Sequence, residues 1–318
     1  MLYAIQTMIR TRLIRIAITV LVLTGNMIVA VWCGDTKPRE IVSRDSSRGD
    51  FVDARCIAVD PNGNIYVVDG GTHEVLKLAG NDGKMARVGG YGWEELAFDR
   101  PSDIVAPNGL DIYVADYGNH RIQRFDRNLN FVARYPSIEA ATQTPPVLYP
   151  RSVGVSRFGA VFVVDADNNQ IAKLTSKGVE QTLGGPGSGS RRLKKPIRVR
   201  VSQDDHVYVQ DGNVLMVYDT FGNFIRTYSF PAPLQIVSFA LDGKRIFILD
   251  SCNVSRAMDD GTLLKLKRTV CDSGASTFEV PVDLAVVQHT LYVLTRSRVR
   301  IVVLPVEQIQ SPFRNQNK

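Results

Sequence analysis

The sequence predicts an all-β propeller of six four-stranded blades, preceded by one N-terminal hydrophobic helix. Three observations predict it. A strand–turn–strand unit recurs six times between residues 51 and 305. The aspartates that close its second strand in five copies, Asp69, Asp116, Asp165, Asp211 and Asp250, follow one another at about 40 to 50 residues, the spacing of a four-stranded blade. The long uncharged run lies ahead of the repeats, and a closed propeller has no place to bury it.

The chain begins with that run. Arg10, Arg12 and Arg15 stand in a segment free of acids, and residues 16–31 are then uncharged, long enough for either a signal peptide or a single span. A basic segment ahead of an apolar one predicts that the remainder is translocated. Residues 1–33 are therefore expected to be a signal peptide or a signal anchor, with cleavage after Ala30 and retention as an anchor both open. Cys33 suggests a lipoprotein, but Trp32 stands where that site needs a small residue. Residues 34–50 read as a polar linker.

The second copy is the clearest. It reads as strands at 104–106, 112–116 and 121–125, separated by a turn through Asn108-Gly109 and a second polar turn. The other copies start at Cys56, Ser152, Arg198 and Gln235, and a degenerate sixth at Asp283. The sixth lacks an outer strand before the polar tail, residues 306–318. Residues 40–43, with Ile41-Val42 at their centre, are expected to supply it and so remove two exposed edges. The alternative is that they are tether.

The second copy continues from Tyr113-Val114-Ala115-Asp116 into Asn119-His120-Arg121-Ile122, and the third varies it as Asp165-Ala166-Asp167-Asn168-Asn169-Gln170-Ile171. In these motifs the chain resembles the NHL-repeat propellers, strongly in three copies and weakly in the rest. The resemblance implies the fold. It does not choose a function, because that scaffold hosts protein binding, RNA binding and a few enzymatic activities. Some members of the family are ubiquitin ligases with a separate RING module, and no Cys/His cluster of that spacing exists here.

Composition suits a single domain. Apolar residues are 44% and charged residues 22%, so a core is available, and the remaining length suits one propeller. The net charge is +6, but three of the 38 Lys and Arg lie in the leader, leaving 35 against 32 acids. That small excess gives no case for nucleic acid.

Antiparallel blades put the start of each inner strand, the turn between second and third strands and the exit of the fourth on one face. The residues opening the inner strands, Cys56, Asp103, Ser152, Arg198, Gln235 and Asp283, are predicted to ring the channel mouth, with Arg55 and Arg151 beside them. Two readings follow. The ring is a solvated funnel, or it binds a small polar ligand, a peptide end, or a cation such as calcium through Asp103 and Asp283. The linker 184–196 reaches the same face with Arg191, Arg192, Lys194 and Lys195, and Arg198 and Arg200 near it. Its glycines are not followed by Gly-Lys-Ser/Thr, so it is no phosphate loop. It reads as a flexible cationic edge suited to an acidic partner, or as a plain solvated loop.

The enzymatic readings are weaker. The peptide α-amidating lyase, a relative on a similar ring, implies zinc held by three channel histidines. Here only His73 and His120 share the ring face, at equivalent positions, and His206 and His289 lie opposite. Zinc catalysis needs three protein ligands and an open position. A calcium-dependent lactonase would recruit Asp103, Asp283 and Gln235. No Gly-x-Ser-x-Gly elbow is present, and no cysteine has a histidine placed to activate it. The closing aspartates read as acceptors for backbone N–H groups in the following turn. Export permits disulfides, and Cys252 with Cys271 is the expected pair.

The expectation is a non-enzymatic, extracytoplasmic or membrane-anchored monomeric propeller. It binds a protein or extracellular polymer on the ring face, without nucleic acid and without a required cofactor. A metal-dependent lyase or lactonase-like hydrolase at the channel mouth is the alternative.

Overall fold

The computed structural model describes residues 51–78, 85–136, 148–230, 232–251, 253–269, 280–288, 290–297 and 299–303. All lie in the second of two compact units, Glu40–Lys318. The expectations for the leader, the linker with its closing strand, the Cys252–Cys271 disulfide, His289 and the tail fall outside the described residues. Within them, no helix is long and apolar enough to cross a membrane.

Alternation and short apolar runs become strands throughout. The first sheet holds β1 (Ala54–Val59), β2 (Ile65–Asp69), β3 (Glu74–Leu78) and β4 (Met85–Gly89). The second holds β5 (Pro101–Val105), β6 (Asp111–Asp116), β7 (Arg121–Asp126) and β8 (Phe131–Tyr135). The third holds β9 (Pro150–Val155), β10 (Val161–Asp165), β11 (Gln170–Thr175) and β12 (Gly178–Leu183). The fourth holds β13 (Pro196–Val201), β14 (Val207–Asp211), β15 (Val214–Tyr218) and β16 (Phe224–Ser229), and the fifth β17 (Ile236–Asp242), β18 (Arg245–Asp250), β19 (Asn253–Ala257) and β20 (Leu263–Thr269). The sixth sheet has β21 (Pro281–Val287), β22 (Thr290–Thr295) and β23 (Val299–Val303). Each is an antiparallel meander in chain order. Where the sequence predicted six like blades, the described residues form five four-stranded blades and one three-stranded sheet. Inner strands adjoin in chain order, and β21 adjoins β1.

The core lies between sheets. A blade has neighbours on both faces, so its second strand is buried on both and reads as a continuous run rather than an alternating one. All five residues of β2, β10 and β14 are buried. Tyr66, Phe98, Ile104, Ile112 and Phe125 pack together between the first two blades, whereas Phe51, Ile57, Val67, Leu76 and Leu294 join the first blade to the sixth sheet.

The pairing of first and second strands breaks register at the same place in all six sheets. A bulge there re-aims the residue that follows it. Opposite the second strand then stand Cys56, Asp103, Ser152, Arg198, Ser238 and Asp283.

At the exit of β4 the chain turns through Gly89 at φ +131°, and a Cβ there would sit 2.5 Å from the His73 carbonyl oxygen. Gly89→Ala is expected to destabilise the protein by about 1–3 kcal/mol, through strain added to overpacking. Chemical denaturation checks this, and an unchanged midpoint would contradict it.

Candidate functional site

The six bulge positions converge on the propeller axis. Five of the residues, Cys56, Asp103, Ser152, Ser238 and Asp283, are almost wholly buried. The Arg198 and Arg200 side chains are 12% and 14% exposed. Burying isolated charges is prohibitive, so their partners decide what this centre can do.

Every charge there has one. Arg200 grips Asp103 with two nitrogens, Nη1 to Oδ2 at 2.8 Å and Nη2 to Oδ1 at 3.0 Å. Arg198 donates to Asp283 at 2.6 Å and lies 4.0 Å from Asp103. The remaining lone pairs of Asp103 accept from Cys56 Sγ, Ser152 Oγ and the Val153 N–H. Those of Asp283 accept from Ser238 Oγ and the N–H groups of Ile57 and Leu284. Two carboxylates and two guanidinium groups cancel.

The proton states follow. Burial works against the Asp103 anion, but Arg200, then Arg198, and the hydrogen bonds from Arg200 and Cys56 hold its carboxyl well below the usual carboxylate range. Burial pushes the Cys56 thiol well above its ordinary value, and the Asp103 and Asp283 charges push the same way. Cys56 is therefore a neutral donor and no nucleophile.

One predicted ring position needs correction, and one residue outside the predicted ring joins it. Gln235 is exposed and precedes β17, and Ser238 takes the inward place. Copy five has a tighter first hairpin, with Asp242 paired to Arg245, so counting from the apolar run misplaces its start by three residues. In the four earlier copies the inward residue stands 13 before the closing aspartate, and the same count from Asp250 gives Val237, one short of Ser238, because the hairpin is tighter. Arg200, which the sequence placed near the cationic linker, lies on the same strand face as Arg198, as alternation requires, and reaches the centre. Arg55 and Arg151 are exposed, each next to its sheet's bulge.

The closing aspartates clamp the segment leading into their own blade. Asp69 accepts from the N–H groups of Val52 and Asp53 as well as Gly71 in the following turn. Asp116 accepts from Asp99, Asp165 from Tyr149, and Asp211 from Lys194 and Lys195.

The Asn119-His120-Arg121 motif acts on both neighbouring loops. Asn119 donates to the Gly92 carbonyl at 2.8 Å. His120 Nδ1 meets the Leu148 carbonyl at 2.9 Å, and the equivalent His73 Nδ1 accepts from the Arg100 N–H at 3.0 Å. Arg121, paired with the buried Asp116 at 2.9 Å, donates to the carbonyls of Trp93, Glu94 and Ala97. These histidines are loop staples. Among the described residues no group of three or more His, Cys, Asp or Glu could hold a metal ion.

The linker 184–196 is pinned. Leu193 is buried and its N–H donates to the Gly184 carbonyl at 2.8 Å. Arg191 stacks over Phe224 with 5.0 Å to the ring centroid, while Arg192, Lys194 and Lys195 are exposed.

Residues 51–78 and 98–125 match the NHL repeat family. A probable peptidyl-alpha-hydroxyglycine alpha-amidating lyase of Caenorhabditis elegans is 29% identical over 154 residues, 46% of this chain and 42% of that protein. The Drosophila melanogaster protein brain tumor is 26% identical over 152 residues, 45% of this chain and 14% of that one. The matches thus span less than half the length of either curated relative. Among solved structures, virginiamycin B lyase from Staphylococcus aureus has a TM-score of 0.55 at 13% identity, covering 79% of this chain and 80% of that one. A gluconolactonase from Xanthomonas campestris has a TM-score of 0.59 at 16% identity, covering 80% and 87%. Structural likeness at such identity shows the fold alone. The matched segments are NHL repeats that form strands of the first two blades, and the sheets around them make the chain an all-β propeller.

Proposed function

We propose that this is a non-catalytic, extracytoplasmic binding propeller. It acts as a monomer held at a membrane by residues 1–33 and takes an acidic protein or extracellular polymer on the face bearing the cationic loop. Residues 40–43 complete the sixth sheet as its fourth strand in this reading. One observation carries the binding role: both central carboxylates are spent on guanidinium groups, so neither is open to a cation or able to serve as a base. A calcium ion at Asp103 and Asp283 would have to displace Arg200 and Arg198. The pinned loop supports the reading too, because it offers Arg192, Lys194 and Lys195 from a fixed backbone at little entropic cost.

The second reading is a metal-dependent lyase or lactonase-like hydrolase. The 29% identity to an alpha-amidating lyase over 154 residues favours it. Its ligands would have to come from outside the central cluster.

Immobilised heparin, an anionic polymer, separates the two. Changing Arg192, Lys194 and Lys195 to Glu is expected to weaken retention at low salt by about tenfold or more, with Arg191 left in place because it packs on Phe224. Retention that survives the reversal would sink the binding assignment to this loop.

A further inference from the structure

The same face carries a second feature, on the loop between the first two blades. Tyr91 is 72% exposed, Trp93 73%, Val52 67% and Leu96 42%. Tyr91, Trp93 and Leu96 share the loop between β4 and β5, and Val52 borders it to complete an apolar strip. Val52 lies against Gly71, where an added Cβ would meet its Cγ1 at 2.6 Å. Two residues on, the His73 ring meets Tyr91 edge-on at 5.3 Å between centroids.

This exposure is built into the fold. Tyr91 bridges to Phe98, and Arg121, Asn119 and Gln123 donate to the carbonyls of Gly92, Trp93, Glu94 and Ala97 beneath. Five side-chain hydrogen bonds thus hold a short loop with its aromatic side chains outward. A monomer gains nothing from rigid presentation of a tryptophan to water.

We propose that this strip seats on the interfacial region of a phospholipid bilayer. Trp and Tyr with aliphatic neighbours are the side chains that such an interface favours, since each has an apolar body and a polar end. Arg55, Arg100 and Arg296 stand exposed on the same face, but Arg55 and Arg296 pair with Asp53 and Arg100 with Asp99, so they add only a modest attraction for anionic headgroups. Glu94 and Glu95, also exposed there, oppose that attraction, so the aromatic residues supply most of the contact. The place where the chain joins the face points to the same occupant. Phe51 and Val52 lead directly from the segment that follows the apolar run, and residues 34–50 can extend over roughly 60 Å at most. The inference rests on the proposal that residues 1–33 hold the protein at a membrane.

The sequence has two tryptophans, so Trp32→Phe in the full chain leaves Trp93 as the only one. That variant, reconstituted in vesicles of phosphatidylcholine and phosphatidylglycerol, is compared with the same vesicles carrying acyl-chain bromines, and flotation is measured on the same samples. The expected result is a blue-shifted Trp93 emission that brominated lipid quenches by about twofold, and weaker quenching when Tyr91→Ser and Leu96→Ser are added. A chain that floats with the vesicles while Trp93 stays red and unquenched overturns the seat and leaves the anchor standing. A chain that does not float overturns both.

Discussion

Asp103→Asn is expected to lower stability by about 3–5 kcal/mol, the usual cost of removing one partner from a buried pair. The amide keeps the shape but leaves Arg200 buried without a counter-charge and takes an acceptor from Cys56 and Ser152. The wild-type contribution has a defined pH window. Because the folded carboxyl lies below its unfolded value, near 3.9, the stabilisation is complete above that range and is lost as pH falls toward the folded value. Denaturation midpoints should therefore show no loss from this group between about pH 7 and 4, and below about pH 4 should fall more steeply for the wild type than for Asp103→Asn. A Leu pair at positions 103 and 200 should recover much of the loss, since both charges leave together. If the single variant is as stable as the wild type, the centre is not the tightly paired cluster described.

Arg121→Ala should cost a similar amount, about 3–5 kcal/mol, because Asp116 is fully buried and three backbone carbonyls lose their donor. Burial raises the Asp116 carboxyl above the ordinary range, against hydrogen bonds from Asn119, the Asp99 N–H and Arg121. The penalty should therefore be largest near neutral pH and shrink in acid, where protonation removes the stranded charge. Hydrogen exchange reads the local effect. Amides of residues 90–98 should lose protection well before those of β6. Uniform loss across the blade would show that Arg121 acts on the core and not on the loop.

Much of the fold is legible because the repeat marks itself with one residue at a fixed place. The closing aspartates show the period, and the bulge opposite each is reproduced in every sheet, so Cys56, Asp103, Ser152, Arg198 and Asp283 could be placed from register alone. Ser238 could not, since the shortened hairpin at Gly243-Lys244 shifts copy five against its apolar run. What the ring does was less legible than where it is. Two acids, a serine, a glutamine, a thiol and Arg198 read as a binding mouth until Arg198 and Arg200 are known to close on the two acids, and that is a tertiary contact between blades. Nothing in Asn119-His120-Arg121 says that its hydrogen bonds end on carbonyls of two loops far apart in sequence. The motif is a staple, and its place in the repeat explains why it reads as a signature of fold rather than of chemistry.

The central claim is that the axis of this propeller is a closed, self-neutralised cluster. Calcium and zinc content of the intact purified protein, measured after equilibration with both ions, tests it most directly. Less than stoichiometric metal, unchanged in Asp103→Asn and Asp283→Asn, is the predicted result. One tightly held ion per chain, lost in both variants, would contradict it and move the chemistry back to the channel.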